Sequence, residues 1–573
     1  MSHGLRKDLV SYGDAAFSLF LRKAFIKAMG YSDDALDRPI VGITDTYSDY
    51  NPCHGNVPDL IDAVKRGVLL AGAMPMAFPT ISLHESFAHP TSMYLRNLMA
   101  MDTEEMIRAQ PMDAVVLIGG CDKTIPAQMM AAASVDLPAI VLPVGPMAIG
   151  SHRGEAVGAC TDCRRFWAKH RAGSIDEAEI EDVNERLVPS VGTCAVMGTA
   201  STMACLVEAM GMSLPGAAAI PATHAERRRS AEATGRRAAG MASIGGPRPS
   251  EILTPKALRN AAAVLHAIGG STNGLVHLAA IAGRVKQPLD YDAFDRLGRE
   301  VPVLANVKPS GAHYMQHFHE AGGLPRLLRE IASSLATDAR TVSGGTIADE
   351  IAAADEVPGQ DVIRTRSNPV ASEGALAILR GNLAPRGAVI KQSAASKKLM
   401  RHTGRAIVFD SVEDLARRVD DPALDVAPDD VLVLRNAGPR GAPGMPEAGY
   451  LPIPKKLLKQ GVTDMVRISD ARMSGTAFGT VVLHIAPESA AGGPLALVRT
   501  GDRIRLDVPE RRLELLVPEA ELAARAASAV PREAPREQGR GYAWLFQQHV
   551  TQADQGCDFD FLVEGAAPRR SGR

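Results

Sequence analysis

The feature that most constrains the fold is a short polar stretch that lies between two apolar runs. It extends from Gly119 to Pro126 and reads Gly-Gly-Cys-Asp-Lys-Thr-Ile-Pro. The β-branched apolar run at 114–118 predicts a buried strand, and the run at 139–142 predicts a second one. Between them, residues 127–133 are typical of a helix, and Pro126 stands where a first helical turn tolerates proline. The pattern therefore predicts a βαβ unit.

This unit places three reactive side chains at the carboxyl end of its first strand. Cys121, Asp122 and Lys123 follow the strand directly, and ligands of open α/β sheets bind at the carboxyl ends of strands. A thiolate is a soft ligand and a carboxylate is a hard one, so the two suit different metals. The stretch therefore indicates two inorganic centres side by side, one thiophilic and one oxophilic.

Length and composition predict a globular chain of two or more domains. A chain of 573 residues is too long for one ordinary core. Lys plus Arg number 63 and Asp plus Glu number 65, and this balance argues against a nucleic-acid partner. No run of 18 apolar residues predicts a transmembrane helix, and the N-terminus has no signal-peptide pattern. We therefore expect no membrane association and a cytoplasmic location.

The cysteines are spaced as individual thiols and not as a disulfide framework. Seven cysteines are spread thinly over the chain, which favours a reducing compartment where thiols can bind metal. Cys53, Cys121 and Cys194 each stand in a loop that contains Gly or Pro, although a single such cysteine is more often a small core residue. Three thiolates are one fewer than the four that hold a common iron–sulfur cluster. One iron would then keep an open position for a substrate oxygen.

Cys160 and Cys163 form a Cys-x-x-Cys sequence without the features of a zinc site. The chain has no second Cys-x-x-Cys, and no histidine pair follows Cys163 at the distance of a zinc finger. We therefore predict a packing role for this pair, with incidental redox chemistry as the alternative.

Two further predicted strands bring candidate ligands to the same edge of the sheet. Strands predicted at 39–44 and 78–83 lead into loops that carry Cys53 and Glu85. If these strands are parallel neighbours of the strand at 114–118, their carboxyl ends meet at one rim. The sequence then predicts a site there.

Carboxylates at this rim suit magnesium, which binds a few carboxylates together with water and substrate oxygens. Glu85, Asp122 and Glu447 are the candidate ligands. The alternative is that they are ordinary carboxylates exposed to solvent. Lys123 would react as a neutral amine if a metal and burial lowered its pKa, and its alternative role is an ion pair with Asp122. Ser474 is a candidate for catalysis, although a lone serine is more often a turn former.

The sequence pattern changes in the last third of the chain, where short β-rich segments replace helical ones. Short β-rich segments separated by Gly and Pro predict a compact β-rich domain of barrel type; they lie at 388–390, 406–409, 431–434, 465–468, 481–485 and 495–498. We therefore predict an α/β domain at 1–376 and a β-barrel-like domain at 377–573. The small, basic tail from Ala566 to Arg573 is expected to fray.

Two long motifs resemble the signature sequences of the dihydroxy-acid and sugar-acid dehydratase family. They are Cys-Asp-Lys-Thr-Ile-Pro-Ala at 121–127 and Ile-Ser-Asp-Ala-Arg-Met-Ser-Gly-Thr at 468–476. Shorter blocks at 51–53, 192–200 and 269–273 resemble further family sequences in the same order. The resemblance extends over nearly the whole chain.

The resemblance implies a fold, two cofactors and an assembly. Members have an N-terminal α/β domain with a parallel sheet and a C-terminal β-barrel domain, and they form homodimers or homotetramers. Cys53, Cys121 and Cys194 match the ligands of the iron–sulfur cluster, a [2Fe-2S] cluster in this branch, with [4Fe-4S] as the alternative. Cys160 and Cys163 match no family ligand.

The remaining candidate residues match the magnesium site and the base of the family. Glu85, Asp122 and Glu447 match Mg²⁺ ligands, and Lys123 matches a lysine that CO₂ carboxylates into a further ligand. Ser474 matches the proposed catalytic base.

The resemblance also implies a reaction, the dehydration of a small 2,3-dihydroxy carboxylate to a 2-keto-3-deoxy acid. The sequence at 53–56, Cys-His-Gly-Asn, and the motif at 468–476 resemble the sugar-acid branch, whose substrates are aldonates such as L-arabinonate, D-xylonate or D-gluconate. The alternatives are a branched-chain dihydroxy-acid dehydratase and a promiscuous enzyme. Outside enzymes, an iron–sulfur sensor that binds nucleic acid is the alternative, which the near-neutral charge disfavours.

Overall fold

The computed structural model describes residues 3–528 and 539–563. They form an α/β region followed by a closed β-barrel, which confirms the predicted fold class. The predicted tail from Ala566 to Arg573 lies outside the described residues. Among the helices of the described ranges, none is long and apolar enough to cross a membrane.

A four-stranded parallel sheet organises the first region. Its strands are β1 (Ile40–Asp45), β2 (Met74–Pro79), β3 (Ala114–Gly119) and β4 (Ala139–Pro143), in the order β2-β1-β3-β4. All six residues of β3 are buried, as expected for a parallel strand with both faces covered. The three strands that we expected to be neighbours are therefore neighbours in one sheet.

One of these strands differs from its prediction. We expected a strand at 78–83, but β2 begins four residues earlier and ends at Pro79. The amide of Ile81 donates a hydrogen bond to the Asp102 carboxylate at 2.9 Å and not to a neighbouring strand. Residues 80–83 therefore belong to the loop that leads to Glu85.

Helices surround this sheet and form the rest of the α/β region. They are α1 (Ala15–Ala28), α2 (Val57–Leu70), α3 (Ser92–Ala109), α4 (Thr124–Val135), α5 (Thr161–Ala172), α6 (Glu177–Arg186), α7 (Thr199–Ala209), α8 (Ala225–Ile244), α9 (Pro249–Ile252), α10 (Pro255–Ala267), α11 (Thr272–Arg284), α12 (Tyr291–Glu300), α13 (Met315–Glu320), α14 (Gly323–Glu330) and α15 (Ile347–Ala352). A two-stranded hairpin of β5 (Gly150–His152) and β6 (Glu155–Val157) precedes α5. Helices α2, α4 and α8 pack directly on the parallel sheet.

The second region is a closed barrel of eight strands. They are β7 (Ala377–Gly381), β8 (Ala384–Ile390), β9 (Arg401–Phe409), β10 (Val431–Leu434), β11 (Arg467–Ser469), β12 (Val481–Ala486), β13 (Arg503–Asp507) and β14 (Arg512–Leu515), closed in the order β10-β11-β12-β8-β7-β14-β13-β9. Its apolar interior is a separate core from that of the α/β region. Helices α16 (Val412–Arg418), α17 (Lys455–Lys459) and α18 (Glu519–Ala527) lie outside the strands.

One predicted barrel strand is wrong. The segment expected as a strand at 495–498 lies at a 3₁₀-helix that spans Pro494–Leu497. Pro494 fixes the backbone angle of a first helical turn and has no amide to donate to a sheet. The apolar side chains of Leu495 and Val498 still reach the barrel core.

The chain returns to the α/β region after the barrel. Helices α19 (Gly541–His549) and α20 (Asp560–Val563) form this segment. Phe546 and Phe559 of the segment pack against Met93 of α3 and Val276 of α11. The returning segment therefore ties the two regions together.

Candidate active site

The rim of the parallel sheet gathers the loops that carry the predicted residues. Cys53 follows β1, Glu85 follows β2 and the stretch 121–123 follows β3. Cys194 reaches the same edge because Thr193 pairs with the segment after β4, where its amide donates to the Gly145 carbonyl at 2.9 Å. The convergence predicted from parallel strand order is confirmed.

His54 fixes the loop that presents Cys121. Its Nδ1 lies 2.8 Å from the Thr46 carbonyl, and its Nε2 accepts from the amides of Gly120 at 3.0 Å and Cys121 at 2.9 Å. Burial lowers the pKa of His54 to about 4, so the ring is neutral at physiological pH and keeps one nitrogen as an acceptor.

A first group of thiols lies at the ends of β1 and β3. The ligand atoms of Cys53, His84 and Cys121 all lie within 4.8 Å of one another. A hydrogen bond from the Cys121 thiol makes the largest contribution to the pKa of Cys53; burial opposes it and His84 reinforces it, and the net pKa is lowered to about 6. Cys53 therefore has thiolate character, which is the form that binds metal.

A second group of thiols lies beside Cys194. The sulfur of Cys160 is 3.7 Å from that of Cys194, although the sequence predicted only a packing role for Cys160. Hydrogen bonds from Cys163 and Cys194 lower the pKa of Cys160 against the opposing effect of burial. The charge of His84 acts on both Cys53 and Cys160, so the histidine faces both groups.

The three predicted carboxylates form a separate cluster next to the thiols. Oxygen atoms of Glu85, Asp122 and Glu447 lie within 4.8 Å of one another. They come from both regions of the chain, since Glu447 belongs to a loop of the barrel region. The cluster joins the thiols through adjacent residues, where the Cys121 sulfur lies 3.6 Å from an oxygen of Asp122.

Two buried cations hold these carboxylates. Arg472 lies 2.6 Å from Glu447 and 3.0 Å from Glu85, and it also donates to the Thr91 hydroxyl at 2.5 Å. Lys123 is fully buried, pairs closely with Asp122 and lies 3.6 Å from Glu85.

The pKa values of Glu85 and Glu447 are shifted in opposite directions. Burial raises the pKa of Glu85, but the charges of Arg472 and Lys123 outweigh burial and hold that pKa well below its usual range. Burial raises the pKa of Glu447, and Arg472 only partly offsets it. A site that separates the pKa values of its carboxylates in this way is typical of functional centres.

Ser474 lies in the barrel loop that follows β11. Its hydroxyl oxygen is 2.8 Å from that of Thr476. An amide of Asn273 donates to the Met473 carbonyl at 3.0 Å, which fixes the loop against the start of α11.

A glycine allows this loop to approach the helices of the first region. A Cβ on Gly475 would lie 2.5 Å from the Ser271 hydroxyl and 2.7 Å from the Thr199 amide, which is closer than packing permits. Thr199 and Ser271 belong to the blocks at 192–200 and 269–273, so these two stretches receive the loop.

Sequence reasoning missed three side chains of the site. His84 directly precedes Glu85, and Arg472 stands inside the motif at 468–476. Their proximity to predicted site residues was therefore a signal that the sequence offered. Cys160 had only its Cys-x-x-Cys spacing as a signal, and its place depends on how α5 packs.

A cavity of about 560 Å³ lies between α5 and the barrel region. Arg164, Trp167 and Lys169 of α5 line it together with Tyr450 and Phe478 of the barrel region. None of the predicted site residues contributes to its lining. The candidate active site is therefore the rim cluster and not this cavity.

Comparison with known proteins places the chain in a family. The model described as "Dihydroxy-acid/6-phosphogluconate dehydratase N-terminal" matches residues 38–350, and its C-terminal counterpart matches 361–557. The chain belongs to the dihydroxy-acid/6-phosphogluconate dehydratase family. It is therefore a dehydratase, a hydro-lyase.

Individual dehydratases resemble the chain over nearly its full length. It is 48% identical to the 6-deoxy-6-sulfo-D-gluconate dehydratase of Pseudomonas putida, with 93% of this chain and 92% of the relative covered. It is also 48% identical to the L-arabinonate dehydratase of Rhizobium leguminosarum bv. trifolii, with 96% and 95% covered. Identity to the dihydroxy-acid dehydratase of Moorella thermoacetica is 39%, with 93% and 97% covered.

Proposed function

We propose that this dehydratase acts on a sugar acid, an aldonate such as L-arabinonate, D-xylonate or D-gluconate, and releases the 2-keto-3-deoxy acid. The observation that carries the proposal is that the cluster of thiols and the cluster of carboxylates are in direct contact. The contact is between the sulfur of Cys121 and a carboxylate oxygen of Asp122. Elimination of water needs stabilisation of charge at the carboxylate end of the substrate and activation of a poor leaving group. Two inorganic centres side by side supply both.

The thiols fit an iron–sulfur cluster. Cys53, Cys121 and Cys194 are free thiols at the rim, buried or half-buried, and Cys53 has thiolate character. We propose a [2Fe-2S] cluster, with [4Fe-4S] as the alternative that the donor set also permits.

The carboxylates fit Mg²⁺ once carboxylation by CO₂ converts the Lys123 cation into an anion. Glu85, Asp122 and Glu447 carry three negative charges against the two positive charges of Lys123 and Arg472. Carboxylation of Lys123 forms a bond from Nζ to the carbon of CO₂, releases two protons from that nitrogen and replaces a cation with an anion. The resulting excess of negative charge and hard oxygens suits Mg²⁺. When bound, cluster and magnesium would supply Lewis-acid stabilisation of the leaving hydroxyl and of the developing enolate.

The chain's own residues supply positioning and proton transfer. Arg472 holds Glu85 and Glu447 in place from the barrel side. Ser474 would take the C2 proton of the substrate. A serine hydroxyl is a weak base at its ordinary pKa and needs activation by its surroundings, and Thr476 is its hydroxyl neighbour in the fold.

The degree of similarity supports a sugar acid over a branched-chain substrate. Identity is 48% to the relatives named for 6-deoxy-6-sulfo-D-gluconate and L-arabinonate, 38% to one named for D-xylonate and 39% to one named for dihydroxy acids. The branched-chain reaction on 2,3-dihydroxyisovalerate is the second candidate, since the same chemistry would serve it.

The test is turnover of anaerobically purified, cluster-loaded protein with Mg²⁺. L-Arabinonate, D-xylonate, D-gluconate and 2,3-dihydroxyisovalerate are compared by formation of the 2-keto acid. We expect at least one aldonate to be preferred. Preference for 2,3-dihydroxyisovalerate would overturn the substrate class, and absence of turnover with all four would overturn the proposal.

Substitution of the proposed base gives a residue-level prediction. We expect Ser474→Ala to lower kcat by about 10²–10⁴, the usual contribution of a positioned base, while iron and magnesium contents stay unchanged. Ser243→Ala is the matched control, since it removes an exposed serine hydroxyl on α8 and should keep the turnover of the wild type. Activity of Ser474→Ala within a few-fold of the wild type would remove Ser474 from the base role.

We also propose that the chain forms a homodimer or homotetramer. Helix α1 exposes Phe17 by 46%, Phe20 by 65% and Phe25 by 72%, and a cluster of exposed apolar side chains is typical of an interface. Light scattering after size-exclusion chromatography should give a multiple of the chain mass. The double variant Phe20→Glu with Phe25→Glu should lower that mass, and an unchanged mass would exclude α1 from the interface.

A further inference from the structure

The distance between Cys160 and Cys194 matches that of two thiolates on one metal. Their sulfur atoms are 3.7 Å apart. For a tetrahedral metal with metal–sulfur bonds of about 2.3 Å, as in zinc–thiolate sites, two sulfur ligands lie about 3.8 Å apart. Cys194 is one of the three proposed cluster ligands, so Cys160 stands where a fourth thiolate would bind.

The backbone around Cys160 is fixed to the loop of Cys194. The amide of Ala195 donates to the Ala159 carbonyl at 3.1 Å. On the other side of the cysteine, the Thr161 hydroxyl donates to the Thr476 carbonyl at 3.0 Å. The position of Cys160 is therefore set both by the cluster loop and by the barrel loop that carries Ser474.

A buried carboxylate holds the first turn of α5 in this position. Asp162 is 1% exposed and accepts from the Gly158 amide at 3.0 Å and the Tyr314 hydroxyl at 2.8 Å. Lys308 lies 3.2 Å from the same carboxylate. Such a satisfied network rigidifies its surroundings, so the approach of Cys160 to Cys194 is built into the fold.

Cys163 provides an internal contrast on the same helix. It packs on one side against Val157, Phe166, Val183 and Leu187, and on the other side it shares an apolar group with Cys160 and Cys194. The Cys163 thiol donates a hydrogen bond to Cys160, whereas Cys160 is the one whose sulfur lies 3.7 Å from the proposed ligand Cys194.

We propose that Cys160 is a fourth thiolate ligand of the cluster in the enzyme without substrate, and that it leaves this position when substrate enters. The inference rests on the iron–sulfur part of the proposed function. No electron is transferred in this exchange, and the released thiolate takes a proton from water. Cys160 would protect the cluster between turnovers, since an open iron position is accessible to oxidants.

The experiment compares anaerobically purified wild type with Cys160→Ser and Cys163→Ser. We expect Cys160→Ser to shift the visible absorption and the electron paramagnetic resonance g-values of the reduced cluster, and to lose its colour in air about tenfold faster. Cys163→Ser is the matched control, since its hydroxyl keeps a hydrogen-bond donor for Cys160, and it should behave as the wild type does. A similar shift in both variants would assign the effect to packing and overturn the proposal.

A second measurement uses the unaltered chain and guards against a variant that fails to fold. Mössbauer spectra of the ⁵⁷Fe-loaded wild type should show every iron with sulfur ligands only, and a distinct site should emerge when an aldonate is added. An iron with an oxygen ligand before substrate is added would overturn the role of Cys160 but leave the proposed function intact. Failure of the wild type to hold any cluster would overturn both.

Discussion

At the scale of single residues, His54 shows how one neutral ring can fix a reactive loop. Its Nε2 accepts from two successive amides, those of Gly120 and Cys121, and the pKa of about 4 that burial gives it keeps this nitrogen free of a proton. The geometry of Cys121 therefore depends on a side chain that is not itself a ligand.

Replacement of His54 should destabilise the chain. In His54→Leu both amides lose their acceptor, and an unsatisfied buried polar group costs about 1–3 kcal/mol; we expect the free energy of unfolding in urea to fall by about 2–5 kcal/mol. His54→Gln keeps a side-chain acceptor and should lose less. His549→Leu, which removes a half-exposed ring, is the control. Equal stability of His54→Leu and wild type would show that the amides find other partners.

The residues of the site differ in how far the sequence could reveal them. Cys53, Glu85 and Cys121 stand in the loops that follow predicted strands, so parallel strand order was enough to bring them together. Arg472 was hidden, because its two carboxylate partners come from loops far apart in the chain. Cys160 was hidden for a different reason: its contact with Cys194 depends on the packing of α5, which local sequence does not encode.

At the scale of elements, the end of β8 supports the barrel loop that carries Ser474. Lys391 directly follows β8, is 1% exposed and donates to the Gly475 carbonyl at 3.3 Å. Burial lowers its pKa to about 7. The lysine thus loses its charge near physiological pH at a point one residue from the proposed base.

This lowered pKa predicts a pH dependence of stability. An unfolded lysine titrates near 10.4, so between about pH 7 and pH 10 the unfolded chain binds more protons than the folded chain. The free energy of unfolding should therefore rise with pH in this window, by up to about 1.4 kcal/mol per pH unit for this group. Below pH 7 both states are protonated and the full cost of the buried charge is present.

Lys391→Met tests this dependence through urea unfolding at several pH values. The variant should be more stable than the wild type at pH 6.5, and the difference should shrink towards pH 10. Lys459→Met removes an exposed lysine and should leave the pH curve unchanged. Parallel curves for wild type and Lys391→Met would exclude a lowered pKa at this position.

Elements were predicted well where apolar patterns alone decide them. The strands at 39–44, 114–118 and 139–142 were placed within a residue or two of β1, β3 and β4. Prediction failed at 495–498, where Pro494 converts an apolar run into a 3₁₀-helix, and at β2, where the side chain of Asp102 satisfies a loop amide. Both errors arise where one residue overrides the periodicity.

At the scale of the whole molecule, the site exists only because two regions are held together. Glu85, Asp122 and Lys123 come from the α/β region, whereas Glu447, Arg472 and Ser474 come from the barrel region. The segment after the barrel fastens this arrangement. Arg96 of α3 donates to the carbonyls of Gly556 and Cys557 at 2.8 and 2.9 Å.

A buried ion pair completes the attachment of this segment. Arg284 at the end of α11 contacts Asp558 at 2.5 and 3.1 Å, and the side chains are 1% and 0% exposed. Removal of one partner leaves an uncompensated buried charge, which costs about 3–5 kcal/mol. We therefore expect Arg284→Leu to lower the free energy of unfolding by this amount and to make the segment at 541–563 sensitive to limited proteolysis.

The double variant Arg284→Leu with Asp558→Leu separates the loss of the pair from the loss of packing. It should recover part of the stability, because Asp558 no longer stays buried without Arg284, although Arg96 loses the nearby charge of Asp558 and Glu104 loses its contact with Arg284. The exposed pair of Arg228 and Asp59, at 63% and 58% exposure, gives the control Arg228→Leu, which should change stability by less than about 1 kcal/mol. If Arg284→Leu matched this control and kept full resistance to protease, the contacts of Arg96 and the aromatic side chains would suffice to hold the two regions around the site.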